Sequence, residues 1–208
     1  MKKIVCFGDS NTFGFIPETG ERYDADSRWS GILKSLAKDK FKITEAGCNN
    51  RTAFSDNPAG YMQTGYKALE PIVKSKPDCI ILAVGTNDLQ FGYNNSIKDI
   101  ENGMESLVKL IKDTNSGTDI IIAAPSVIKK NILGSFFAAM FDETSIEKSF
   151  ELPQICKKIA EKYNCSFIDF NKIAEASDID GLHYDKEAHI KIAHAVFDLL
   201  CKKYGSLA

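Results

Sequence analysis

A serine, an aspartate and a histidine in this chain have the types and setting that acyl chemistry needs. Ser10 sits in Gly8-Asp9-Ser10-Asn11, directly after the apolar run Val5-Cys6-Phe7. A strand end that turns into a helix start is where an open α/β sheet binds its ligands. A serine hydroxyl is a weak nucleophile near neutral pH, so it needs a base and a group to orient that base. The far end of the chain supplies both, as Asp180-Gly181-Leu182-His183. In this reading His183 takes the Ser10 proton and later returns it to a leaving alcohol. Asp180 holds the other ring nitrogen and stabilises the imidazolium. Two further blocks, Ala46-Gly47-Cys48-Asn49 and Gly85-Thr86-Asn87-Asp88, each follow an apolar run.

Each residue also has a plainer reading. A serine after a strand often caps a helix, and Asp-Gly-Leu-His reads equally as a turn before one. Gly47 and Gly85 can simply end strands, and Asn87 can form an Asx-turn. Asp9 and Asp88 are expected to order loop backbone rather than react. His189 and His194 lie in the last helical pattern at i,i+5, on different faces, which is poor for a shared metal. No metal and no cofactor are therefore expected.

The elements that must position these residues alternate. Strands are predicted over residues 3–7, 41–45, 78–84, 118–124 and 166–170, the third being the clearest buried run. Helices are predicted over 28–38 with Ser27 as N-cap, over 64–74 with Pro71 inside, and from a Ser96 cap. A further helix over 146–163 is interrupted or bent near Pro153, and a last one runs from an Asp185 cap to about residue 204. Residues 11–27 read as loop. Five strands alternating with helices make an α/β/α sandwich around a parallel sheet. Ser10, Gly47 and Asn87 all fall at carboxyl ends of strands. The 208 residues suit one domain, 1–208, with no linker or repeat. Residues 126–144 have no legible conformation. Their apolar part, residues 136–141, is read first as a pocket wall or subunit contact, then as core, and last as a membrane surface.

Lys and Arg total 26 against 28 Asp and Glu, so nothing attracts the chain to nucleic acid in bulk. No apolar run approaches the ~20 residues of a membrane span. Six cysteines without a C-x-x-C pair, and an N-terminus that leads straight into a strand, favour a reducing cytoplasm.

The four blocks in this order resemble the SGNH, or GDSL-type, esterase and lipase family. The resemblance extends over nearly the whole chain. It is nearest to the bacterial arylesterase and acyltransferase branch through Phe13-Gly14, Arg28-Trp29 and Asn50-Arg51-Thr52. Asn11 stands where the family's name motif has leucine. The resemblance implies a flavodoxin-like strand order 2-1-3-4-5. It also implies an oxyanion hole made by the Ser10 and Gly47 backbone N–H groups and the Asn87 amide. The expected activity is hydrolysis of small, often acetyl, esters through an acyl-enzyme, with transfer to alcohols and homo-oligomerisation as inferences. Trp29 is expected to pack beneath the Ser10 loop while Arg28 tethers a carboxylate. Two alternatives stay open: a thioesterase or lysophospholipase for longer chains, and a non-catalytic flavodoxin-like binding module. The absence of G-x-G-x-x-G and Walker loops weighs against the module, and the absence of G-x-S-x-G weighs against the common α/β-hydrolases.

Overall fold

A computed structural model describes residues 1–205. Its centre is a five-stranded, wholly parallel sheet of order β2-β1-β3-β4-β5. The strands are β1 (Lys2–Gly8), β2 (Phe41–Gly47), β3 (Cys79–Ala83), β4 (Asp119–Ala124) and β5 (Ser166–Asp169). All five fall where the hydrophobic pattern puts them. Side chains alternate between the two faces of a strand, and here both faces are covered. Val5, Phe7, Ile80, Leu82, Ile120 and Ile122 point into one core layer. Ile4, Cys6, Cys79, Ile81, Ile121 and Ala123 point into the other. Burial on both faces is why these strands read as continuous apolar runs.

The first layer is closed by α3 (Gly65–Lys74), α4 (Ile97–Thr114) and α6 (Leu152–Lys162). The second is closed by α2 (Trp29–Leu36) and α7 (Lys186–Tyr204). Ser96 and Asp185 cap α4 and α7 as expected, Ser96 within a capping box. Ser27 does not cap α2. Arg28 occupies that position and makes no side-chain cap bond, because a guanidinium only donates and a cap must accept. The helix expected over 146–163 is interrupted near Pro153, as one of the two expected outcomes: α5 (Glu143–Ser149) ends before α6, and Pro153 stands in the first turn of α6. Residues 126–144 are two 3-10 turns, Lys130–Gly134 and Phe136–Ala139, followed by the start of α5.

The segment after β1 is not all loop. Ser10–Phe13 forms a one-turn helix, α1. Its cap is Asp9, whose Oδ1 accepts the Asn11 N–H at 3.0 Å. Asp9 thus takes the capping task and leaves the Ser10 hydroxyl free. Trp29 is fully buried against Phe170 in the second layer. Beside it Arg28 grips Glu45 through Nε at 2.6 Å and Nη2 at 2.9 Å. Ser30 Oγ bridges Glu45 at 2.8 Å and the Thr12 carbonyl at 3.1 Å, which ties α1 to the end of β2.

Gly47 makes this junction possible. A Cβ at residue 47 would lie 2.2 Å from the Phe13 backbone nitrogen. Neither backbone can yield cheaply, so Gly47→Ala is expected to destabilise the fold by about 1–3 kcal/mol, the usual cost of overpacking. Urea unfolding checks this, and an unchanged midpoint would show that α1 does not press on residue 47.

Candidate active site

The carboxyl ends of β1, β2 and β3 meet the loop before α7 at one rim of the sheet. Ser10 and His183 approach there to 2.9 Å, Oγ to Nε2. His183 Nδ1 lies 2.6 Å from Asp180 Oδ2. A carboxylate at Nδ1 places the ring proton there, so Nε2 accepts and the Ser10 hydroxyl donates. Asp180 Oδ1 accepts the backbone N–H groups of Leu182 and His183, both at 2.9 Å. Burial by itself would raise the Asp180 carboxyl. The hydrogen bond and charge of His183, with those two N–H donors, hold it below the ordinary carboxylate range. All three side chains are buried.

The turn carrying His183 depends on Gly181, which has φ +73°, and a Cβ there would lie 2.6 Å from the Ile132 nitrogen. Asn11 fastens the turn to the nucleophile helix. Its Nδ2 donates to the Leu182 carbonyl at 3.1 Å and its Oδ1 accepts the Tyr184 N–H at 3.0 Å. The residue that departs from the family's name motif therefore holds both neighbours of His183. Phe15 stacks on the imidazole with centroids 4.1 Å apart, and Phe137 leans on it at 5.0 Å.

A cavity of about 190 Å³ opens beside Ser10, lined by polar Asn49, Asn50 and Asn87 and by apolar Phe137, Met140 and Leu182. The 136–141 segment thus supplies part of the pocket wall. Phe141 is buried, whereas Phe136 is 82% exposed. Gly47 is not in this wall. The packing of its Cα on α1 is a structural task, and Asn50 stands at the cavity where the glycine was expected. Asn50 has φ +57°, a left-handed conformation that asparagine tolerates better than most residues. Among the described residues, neither the Ser10 nor the Asn50 backbone N–H donates to a protein acceptor.

Asn87 enters from the 3-10 turn Thr86–Leu89 that follows β3. Its Nδ2 donates one hydrogen to the Arg51 carbonyl at 3.0 Å, and its Oδ1 accepts from Gln90 Nε2 at 3.0 Å. The second Nδ2 hydrogen has no protein acceptor among the described residues. Asp88, next to it, accepts the N–H groups of Ala53, Phe54 and Ser55 at 2.5, 3.1 and 2.9 Å, which orders the loop after β2. Arg51 is buried over the Phe7 ring and donates to the Gly8, Ala46 and Met62 carbonyls, lacing β1 to β2.

A model of the GDSL-like lipase/acylhydrolase family matches residues 6–190. The chain belongs to that family. It is a carboxylic ester hydrolase by that membership. Solved structures of similar shape include Est24, a carbohydrate acetylesterase from Sinorhizobium meliloti. It is 28% identical, with 98% of this chain and 100% of that one covered at a TM-score of 0.91. A carbohydrate acetylesterase family member from the same organism is 27% identical over 99% and 100%, at 0.89. The aryl esterase of M. smegmatis is 24% identical over 97% and 99%, at 0.88, and shares the fold. No curated protein matches the chain.

Sequence reasoning placed Ser10, Asn87, Asp180 and His183 where the GDSL-like fold brings them together. It missed Asn50, Gln90, Phe15 and the clamp made by Asn11. Asn49-Asn50 beyond a strand end was the one available signal, since asparagine marks positive φ.

His189, the other buried histidine, lies beneath this site. Its Nδ1 accepts the Trp29 N–H at 3.2 Å. Burial, then the charges of His183 and Arg28, push it down to about 3. An unfolded histidine titrates near ~6.5, so the unfolded chain binds the extra proton first and stability falls as pH drops below that value. Melting curves from about pH 7 to about pH 4 should show a shallower loss for His189→Gln than for the parent. Identical slopes would remove His189 as the cause.

Proposed function

We propose that this protein is a serine esterase for short acyl esters, acetyl above all, acting through an acyl-enzyme on Ser10. The observation that carries this is the chain of contacts Ser10–His183–Asp180, at 2.9 and 2.6 Å, beside a small, largely apolar cavity.

In this reading the Ser10 hydroxyl passes its proton to His183 Nε2 as Oγ bonds to the ester carbonyl carbon. Asp180 stabilises the imidazolium without taking its proton. Negative charge gathers on the former carbonyl oxygen. Three unspent donors at the cavity receive it: the Ser10 N–H, the Asn50 N–H in place of Gly47, and the second Asn87 Nδ2 hydrogen. Asn87 carries no charge that would oppose protonation of His183. His183 then protonates the departing alcohol, the carbonyl re-forms, and the acyl group stays on Ser10. Water, deprotonated by His183, attacks next, and Ser10 leaves with the proton. An alcohol in place of water gives transfer, which an apolar wall around His183 favours.

A cavity of about 190 Å³ is below the ~300–1,000 Å³ of sites that enclose drug-sized ligands. Its size supports a short acyl group over the long chain of a lysophospholipase. The likeness to Est24, named a carbohydrate acetylesterase, supports acetyl. Six free cysteines support a reducing, cytoplasmic setting. The exposed Phe136 beside the pocket wall supports contact between copies.

Ser10→Ala is expected to lower kcat on an aryl acetate by at least about a thousandfold with the fold intact. Near-parental turnover in that variant would exclude Ser10 as nucleophile. On a series of aryl acetate, butyrate, octanoate and palmitate esters, kcat/KM should peak at acetate or butyrate. It should fall at least about tenfold by octanoate, since a chain that cannot enter forfeits its transition-state contacts. A maximum at palmitate would sink the short-acyl assignment.

A further inference from the structure

Gln90 bonds to two walls of the cavity from behind. Its side chain is buried, and Nε2 donates to Asn87 Oδ1 at 3.0 Å and to Asn50 Oδ1 at 2.8 Å. The direction of these bonds is forced from one end. The Arg51 carbonyl can only accept, so the Asn87 atom 3.0 Å from it is Nδ2. Asn87 Oδ1 then faces Gln90, and Gln90 must present its NH2 group. With that group in place, Asn50 can meet it only through Oδ1. One fixed carbonyl therefore sets the orientation of three amides in series.

We propose that Gln90 is a positioning residue for the oxyanion hole, acting through Asn87 and Asn50 together. The proposal rests on the oxyanion reading given above. Asn87 needs one Nδ2 hydrogen aimed at the cavity while the other is held by Arg51. A terminal amide torsion is broad and roughly two-fold, so the Arg51 contact alone leaves the amide free to swing. Gln90 supplies the second anchor, on the opposite atom. Asn50 is held on either side of its left-handed backbone, by Gln90 at its side chain and by Asn57 Nδ2 at its carbonyl, 2.7 Å away. That backbone carries the second donor. Two of the three donors thus share one support. The backbone of Gln90 closes the 3-10 turn through its N–H to the Asn87 carbonyl at 3.4 Å, a contact that side-chain substitutions leave in place.

Two variants test this against the parent and Asn87→Ala. Gln90→Met keeps most of the volume and removes the donor. Gln90→Glu keeps the shape and turns a donor into an acceptor, which drives Asn87 to rotate its NH2 away from the cavity. On an aryl acetate, both variants are expected to lose tenfold or more in kcat, Gln90→Glu at least as much as Gln90→Met. KM should stay within twofold and melting temperature close to the parent's. In an Asn87→Ala background, Gln90→Met should cost clearly less than it does alone, because one of the two groups it positions is already gone. Folded variants with kcat within twofold of the parent, while Asn87→Ala has lost about a hundredfold, would overturn the positioning role and leave the oxyanion reading standing. The same holds if the loss from Gln90→Met is undiminished without Asn87. Parental kcat in Asn87→Ala would bring down the oxyanion reading and this proposal with it.

Discussion

The hydrogen bond from Ser10 to His183 joins side chains 173 positions apart in the chain. A parallel sheet makes such a meeting possible, because every strand delivers its carboxyl end to the same rim. Alignment to within a hydrogen bond requires more than a shared rim. The nucleophile helix and the histidine turn must also be fastened to each other. Asn11 does this with a donor on one neighbour of His183 and an acceptor on the other. The arrangement ties the register of the reacting pair to one side chain adjacent to Ser10. It also explains how a departure from the family's name motif falls at this position without loosening the site.

The rim is built from buried polar groups, which are costly unless they satisfy one another. The charged ones do. Asp9 takes the Asn11 N–H, Asp88 takes three consecutive N–H groups, and Arg51 spends its donors on three carbonyls. Burial lifts Asp9 to about 7, against the Asn11 bond and the nearby Arg51, so this carboxyl is held by its surroundings rather than by solvent. Three donors left over, the Ser10 and Asn50 N–H groups and one Asn87 Nδ2 hydrogen, belong to residues of one cavity wall, while among the described residues the buried Thr12 and Thr86 hydroxyls and the Trp29 indole N–H are also without a partner. Leaving an N–H unspent costs about 1–3 kcal/mol when it is buried. A wall that concentrates such groups is poised for a ligand oxygen that gains charge.

The aromatic contacts set the boundary of that wall. Phe15 comes from the segment after α1 and Phe137 from the 3-10 turn before α5, and they pack against His183 and against each other, edge to face at 5.9 Å. This keeps the imidazole edge toward Ser10 and restricts water around it. The same ring of Phe137 lines the cavity, so one side chain borders both the imidazole and the pocket.

The amino-acid sequence by itself determined the layers. Near-continuous apolar runs specified five strands, helical stripes specified the elements that cover them, and glycine-terminated runs showed which ends carry polar residues. It also singled out the Ser10 block and the only histidine outside a helical pattern, because four blocks in one order carry more than any of them alone. The tertiary structure alone decided which polar group lines the cavity. Gly47 and Asn50 are three residues apart, the first ending β2 and the second lying just beyond it. Only the pressure of α1 on residue 47 and the left-handed turn at residue 50 put the second at the cavity and keep the first out of it. The Asn11 clamp and the Gln90–Asn50 bond were equally invisible, since each pairs a side chain with groups far off in the chain. Local pattern records what a residue does to its own helix or strand. It carries no record of the loops that long-range packing brings alongside.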